Sequence, residues 1–101
     1  MRAYELMIIF DGDLEEEAVA ASLSKATATI EAEGGRVVSM LDTEPWGRRR
    51  FAYRINNKWE GVYVVLEVVT EANDLATTDR NLRLADRSEV VRHKIIRLPD
   101  S

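Results

Sequence analysis

RAYELMIIFDGDLEEEAVAASLSKATATIEAEGG, residues 2–35, decides the fold class because its hydrophobic period changes once. Up to Phe10 the period is two. Tyr4, Leu6, Ile8 and Phe10 fall on one face and Ala3, Glu5, Met7 and Ile9 on the other, as in a strand whose even face is the core side. Asp11-Gly12-Asp13 is a turn, with Asp13 placed to cap a helix and Glu15–Glu17 in its first turn, where the helix dipole favours acids. From about Leu14 to Glu33 the period is helical, and Val19, Leu23, Ala26 and Ile30 form one stripe. Gly34-Gly35 ends it, since glycine accepts the left-handed cap conformation.

Outward from this unit, Arg36 to Leu41 reads as a second strand with Val37, Ser39 and Leu41 on one face. Asp42 to Gly47 interrupts it, and Pro45, which has no N–H for a ladder bond, marks a bulge or an edge bend. Extended structure resumes at Arg48, with Phe51, Tyr53 and Ile55 as core and Arg50, Ala52 and Arg54 opposite. Residues 56–61 connect a hairpin. In Val62–Val69, Val64, Leu66 and Val68 point inward, with Tyr63, Val65 and Glu67 on the other side. Thr70 is placed to cap a second helix, about Glu71 to Leu84, presenting Leu75, Asp79 and Leu82. Asp86–Ser88 turns the chain into a last strand, Glu89 to Leu98, which Pro99 ends.

Strand, helix, strand, strand, helix, strand is the split βαβ pattern. It predicts an α+β, ferredoxin-like domain over residues 1–101: an antiparallel four-stranded sheet with both helices on one face. The other face has no covering layer, and there the chain puts Met7, Ile9, Tyr63 and Val65, which points to a protein partner.

Composition narrows the chemistry. The 101 residues hold no cysteine and one histidine, which removes disulfide frameworks, thiolate metal sites and multi-histidine metal sites. No metal or other cofactor is expected. With 46% hydrophobic and 32% charged residues the chain reads as a soluble globular domain. No apolar run reaches the roughly 20 residues of a membrane span, and Leu6–Phe10 is too short for a signal-peptide core. Net charge is −4, but it is segregated. Residues 11–35 carry seven acids and one base, whereas residues 36–58 carry six bases and two acids. Arg48, Arg49, Arg50 and Arg54 are interleaved with Trp46, Phe51 and Tyr53, a pattern suited to a polyanion, because guanidinium groups bind phosphate bidentately. Arg92, Lys94 and Arg97 form a second basic set, with Arg92 and Lys94 on the face opposite His93, and Arg2 lies on a further strand.

His93 reads as structural, with no activated nucleophile beside it. Glu5 and Glu67 form a carboxylate pair if their strands are neighbours. A glycosidase would need them about 5 Å apart in a deep cleft, which a small open sheet does not supply, so solvent or an arginine is the expected partner. No Walker, G-x-G-x-x-G or zinc-ligand spacing is present.

Met1-Arg2-Ala3-Tyr4-Glu5 resembles the M-R-x-Y-E opening of the bacterial small-subunit ribosomal protein six family. Residues 46–56, WGRRRFAYRIN, resemble its W-G-x-R-x-L-A-Y-x-I signature. Gly61–Val68 and Val91–Arg97 look like its third strand and its V-x-R-x-x-V-x-R ending. Met40–Pro45 is longer than is usual before the W-G pair, Phe51 stands where leucine is common, and the acidic tail of some members is absent. The resemblance implies a structural, non-enzymatic component of the small ribosomal subunit. Such a protein binds the central domain of the small-subunit rRNA together with small-subunit ribosomal protein eighteen, in the bacterial cytoplasm or in an organelle. It implies no membrane and no small-molecule substrate. Arg2, Arg48, Arg49, Arg50, Arg54, Arg92, Lys94 and Arg97 would then contact rRNA, while Met7, Ile9, Tyr63 and Val65 receive the protein. Two alternatives belong to other classes: a small dimeric α/β-barrel enzyme, with His93, Tyr53 and Tyr4 available for acid–base work, and a homodimeric ligand-sensing module.

Overall fold

The computed structural model describes residues 2–42, 47–55, 58–71 and 75–99, with the side chains of residues 52, 53 and 58 excepted. The expected bend at Pro45, the position of Trp46 and the turn at Asn56-Asn57 lie outside these residues, as does the face of the Tyr53 side chain.

β1 (Arg2–Asp11) lies between β4 (Lys58–Thr70) and β5 (Val90–Arg97), antiparallel to both. The far edge of β4 carries two successive strands. β2 (Arg36–Leu41) pairs with residues 65–69 of β4 and β3 (Gly47–Ile55) with residues 58–63. The predicted interrupted strand is therefore two strands, and the antiparallel sheet has five. The even face of β1 is buried as its alternation requires. Tyr4, Leu6, Ile8 and Phe10 pack with Val64, Leu66 and Val68 of β4, each large side chain contributing about 1.5–3 kcal/mol on removal from water.

Two helices cover that face. α1 (Glu16–Ala32) delivers Leu23, Ala26 and Ile30, all buried, with Val19 partly buried against the core. Its start differs from expectation. Glu15, not Asp13, is the cap residue, and its side chain makes no capping hydrogen bond. Asp11 organises the turn instead: its Oδ1 accepts from the Asp13 N–H at 2.8 Å, an Asx-type bond, and its carbonyl accepts from the Leu14 N–H. The C-terminus follows the sequence. Gly34 has φ +89°, its N–H donates to the Glu31 carbonyl, and the Gly35 N–H donates to Ile30, the paired bonds of a Schellman cap.

α2 (Ala76–Leu84) starts later than predicted. Thr70 is the last residue of β4, buried opposite Arg2, so it extends the ladder rather than capping the helix. Leu75, Thr78 and Leu82 are buried.

Bulges reset two alternations. Val37 pairs with Val68 but Ser39 with Glu67, which makes Val38 an extra, half-exposed residue. Val37 and Met40 therefore share the helix side, and Ser39 and Leu41 move to the open side, against the expectation that Val37, Ser39 and Leu41 share one face. In β5 the partner of Ile9 is Arg92 and that of Phe10 is Val90. Val91 is the inserted residue there, and it is buried beside Val90.

Candidate RNA and protein interface

The register fixes which residues meet on the helix-free face. Arg92, Ile9 and Tyr63 form one row across β5, β1 and β4. Lys94, Met7, Val65 and Leu41 form the next, and Ile96, Glu5, Glu67 and Ser39 the third. All four residues assigned to a protein partner, Met7, Ile9, Tyr63 and Val65, are thus neighbours on the open face. One differs from expectation in exposure. Val65 is only 1% exposed, walled in by the longer side chains of its row, so it supports the patch rather than forming its surface.

Phe51 joins this face. Gly47 pairs with Tyr63 and Arg49 with Gly61, so alternation carries Phe51 to the same side. Its ring sits 6.2 Å from that of Tyr63 at 64°, an edge-on contact. Gly61 makes room for it: a Cβ there would lie 2.6 Å from Phe51 Cζ and 2.9 Å from Ile9 Cγ2. Phe51 is buried as predicted, but outside the main core cluster, in a satellite under the open face. Alternation within β3 shows which residues share a face. It does not show which face, because the preceding interruption resets the phase.

The eight cations assigned to rRNA do not form one patch. Arg49, Arg92 and Lys94 rim the open face, and the Arg49 guanidinium lies 5.9 Å from the Tyr63 ring centroid. Arg50 and Arg54 meet at the end of the β3–β4 hairpin, 5.3 and 6.0 Å from the ring centroid of Trp59. Arg2, Arg48 and Arg97 fall on the helix side of the register. Arg48 Nη1 donates to the Gly12 carbonyl at 2.7 Å and is 3.8 Å from Glu60 Oε2, which ties the hairpin to the loop before α1. Of the three consecutive arginines, the pleat sets Arg49 on the face opposite Arg48 and Arg50. Trp59, expected in the connection over residues 56–61, lies in β4. An aromatic next to a basic run is the one sequence signal for it.

His93 faces the helices, opposite Arg92 and Lys94 as expected. Its Nε2 is 2.6 Å from Asp79 Oδ1 on α2, and Arg83 holds the other oxygen of that carboxylate. The side chain is largely enclosed, which suits a strut between β5 and α2. Glu5 and Glu67 are direct cross-strand partners at the centre of the third row. Like charges so placed repel unless a cation joins them. A cleft of about 830 Å³ lies between α1 and the β2–β3 edge, lined by Val19, Leu23, Met40 and Val62 with Arg48 at its rim. Neither His93 nor Tyr4 reaches it, so the acid–base residues of the enzyme alternative are not gathered in a pocket there. Among the described residues no cluster of His, Asp and Glu has the make-up of a metal site, and no helix is long and apolar enough to cross a membrane.

Comparison with known proteins bears on the same residues. A family model described as Ribosomal protein S6 matches residues 3–97. The chain is 44% identical over 97 residues to the small ribosomal subunit protein bS6 of Salinispora tropica, covering 96% of each chain. It is 39% identical over 101 residues to that of Acidothermus cellulolyticus, covering all of this chain and 99% of the other. The crystal structure of 30S ribosomal protein S6 from Thermotoga maritima superposes with a TM-score of 0.85 at 26% identity, over 96% of this chain and 87% of that one.

Proposed function

The chain belongs to the ribosomal protein S6 family of the small ribosomal subunit, and from that premise we propose that it binds the central domain of small-subunit rRNA jointly with small-subunit ribosomal protein eighteen. The observation that carries this reading is the open sheet face itself. Met7, Ile9, Tyr63 and the buried support of Val65 make an apolar centre, and Arg49, Arg92 and Lys94 make a cationic rim. An apolar centre suits a protein, and a cationic rim suits phosphate. The opposed Glu5 and Glu67 ask for a cation from the protein partner. The exposed acids of α1, Glu15–Glu17 and Glu31, repel RNA from the helix side and so orient the molecule.

The role is stabilisation of an RNA junction rather than chemistry, with phosphate contacts positioning the protein, and the place of work is the ribosome in the bacterial cytoplasm. Mixed with protein eighteen, the chain is expected to bind a central-domain rRNA fragment and to co-sediment with small subunits. Replacing Arg48, Arg49 and Arg50 by alanine is expected to flatten the salt dependence of binding by about two units, one per lost phosphate contact, since Arg48 is already engaged by Gly12. An unchanged slope removes these arginines from the interface. A stable homodimer of the chain alone, indifferent to protein eighteen, favours the homodimeric alternative.

A further inference from the structure

β1 accompanies β4 only as far as Asp11 opposite Gly61. Beyond that point residues 58–60 of β4 have β3 alone as a neighbour, so the hairpin end projects past the sheet. Trp59 stands on this projection with 46% of its surface exposed. Nearly half of this large apolar side chain meets water, and exposed groups of this kind serve as contact points. Two guanidinium groups, from Arg50 and Arg54, are held near the ring at 5.3 and 6.0 Å from its centroid. Beside the indole a recess of about 220 Å³ opens, lined by Gly12, Asp13, Arg50, Trp59 and Glu60.

We propose that this hairpin end receives one unpaired nucleotide of the rRNA, its base stacked on Trp59 in the recess and its flanking phosphates held by Arg50 and Arg54. This assignment rests on the rRNA-binding reading above and adds a site to it. Every base has a π-face, and stacking on an aromatic side chain requires that the base be unstacked from its own strand. Both guanidinium groups lie over the ring, so a stacking base displaces them from the indole and turns them to its flanking phosphates. The carboxylates of Asp13 and Glu60 accept hydrogen bonds and, when ionised, do not donate. They keep phosphate out of the recess, so that the base rather than the sugar–phosphate enters it. An aromatic flanked by arginines also suits a protein partner, but the acidic recess next to the cations separates base from phosphate in a way a nucleotide matches.

The test uses the full chain with protein eighteen and the central-domain rRNA fragment. Trp59→Ala is expected to weaken rRNA binding about tenfold, with an unchanged salt slope, because stacking releases no counterions. Trp59→Phe is expected to restore binding to within about threefold of the parent. Arg50→Ala and Arg54→Ala should each lower the slope by about one unit. Unchanged thermal melting of each variant confirms an intact fold. Parent-like binding by Trp59→Ala overturns this site alone, whereas failure of the unmodified chain to bind the fragment overturns the rRNA reading with it. Lost capture of protein eighteen with rRNA affinity intact makes the hairpin end a protein contact and overturns the proposal.

Discussion

On one side of β1, Tyr4, Leu6, Ile8 and Phe10 meet Val68, Leu66 and Val64 of β4 beneath Leu23, Ile30, Leu75 and Leu82 of the helices. On the other side of the same strand, Glu5, Met7 and Ile9 meet Glu67, Val65 and Tyr63, the face that the helices do not cover. The first side is hydrocarbon at its centre, with the His93–Asp79 pair toward β5. The second has two apolar-centred rows and then the Glu5–Glu67 row, rimmed by Arg49, Arg92 and Lys94. The two sides therefore divide the work: the first holds the domain together, and the second, more polar, is the surface proposed above for a partner. Phe51 shows that the boundary is not strict, since it is buried on the open side by Tyr63, Ile9 and the absence of a side chain at Gly61.

The contrast breaks first where the covered side is emptied. Leu66→Ala is expected to cost about 2–5 kcal/mol, read as a fall in the denaturant midpoint, because it leaves a cavity in a packed core. A cost comparable to that of Met7→Ala would erase the distinction between the two faces. Next comes Val65→Glu. Its enclosure means that the charge has no route to water, so a loss of roughly 3 kcal/mol is expected, together with loss of partner binding. Met7→Glu, one strand away in the same row, is expected to keep the fold and abolish binding of protein eighteen. Unfolding by Met7→Glu would mean that the faces are inverted.

A smaller effect belongs to the link between layers. His93→Gln keeps a donor for Asp79 but loses the enclosed ring, and is expected to cost on the order of 1 kcal/mol in thermal or chemical unfolding, with rRNA and partner binding within a few fold. A loss of rRNA binding above tenfold would put His93 in the interface instead. The smallest effect concerns Asp86, at the turn into β5. The Ser88 backbone N–H, and then its hydroxyl, donate to this carboxylate and hold its pKa below the ordinary 3.8. A lowered folded-state pKa means that the contribution is fully present above that ordinary value and is lost as the pH falls through the lowered one. Asp86→Ala should therefore give a slight fall in melting temperature at neutral pH that disappears in strong acid. A deficit persisting in strong acid would assign the effect to turn geometry rather than to the charge.

Much of this molecule is determined by short-range pattern. The change from period two to helical period between Phe10 and Val19, the Gly34-Gly35 stop and the split βαβ order each follow from residues close in sequence, because a pleat, a helical turn and a left-handed cap are local geometries. The membership of the open face, Met7 and Ile9 with Tyr63 and Val65, was legible for the same reason. The rest needed the sheet. Whether Asp11 or Asp13 organises the turn depends on which carboxylate the closing backbone reaches, and Thr70 is strand or cap according to whether Arg2 lies opposite it. A single inserted residue at Val38 moves Ser39 and Leu41 to the other face, and periodicity carries no mark of that. Phe51 reads as core by composition, yet its side of the sheet is set by the register of Gly47 against Tyr63. The meeting of Arg50, Arg54 and Trp59 is likewise a product of how far β4 outruns β1. Pattern within a strand establishes which side chains go together. Only the pairing of strands decides what they face, since register is fixed by contacts between segments that lie apart in the sequence.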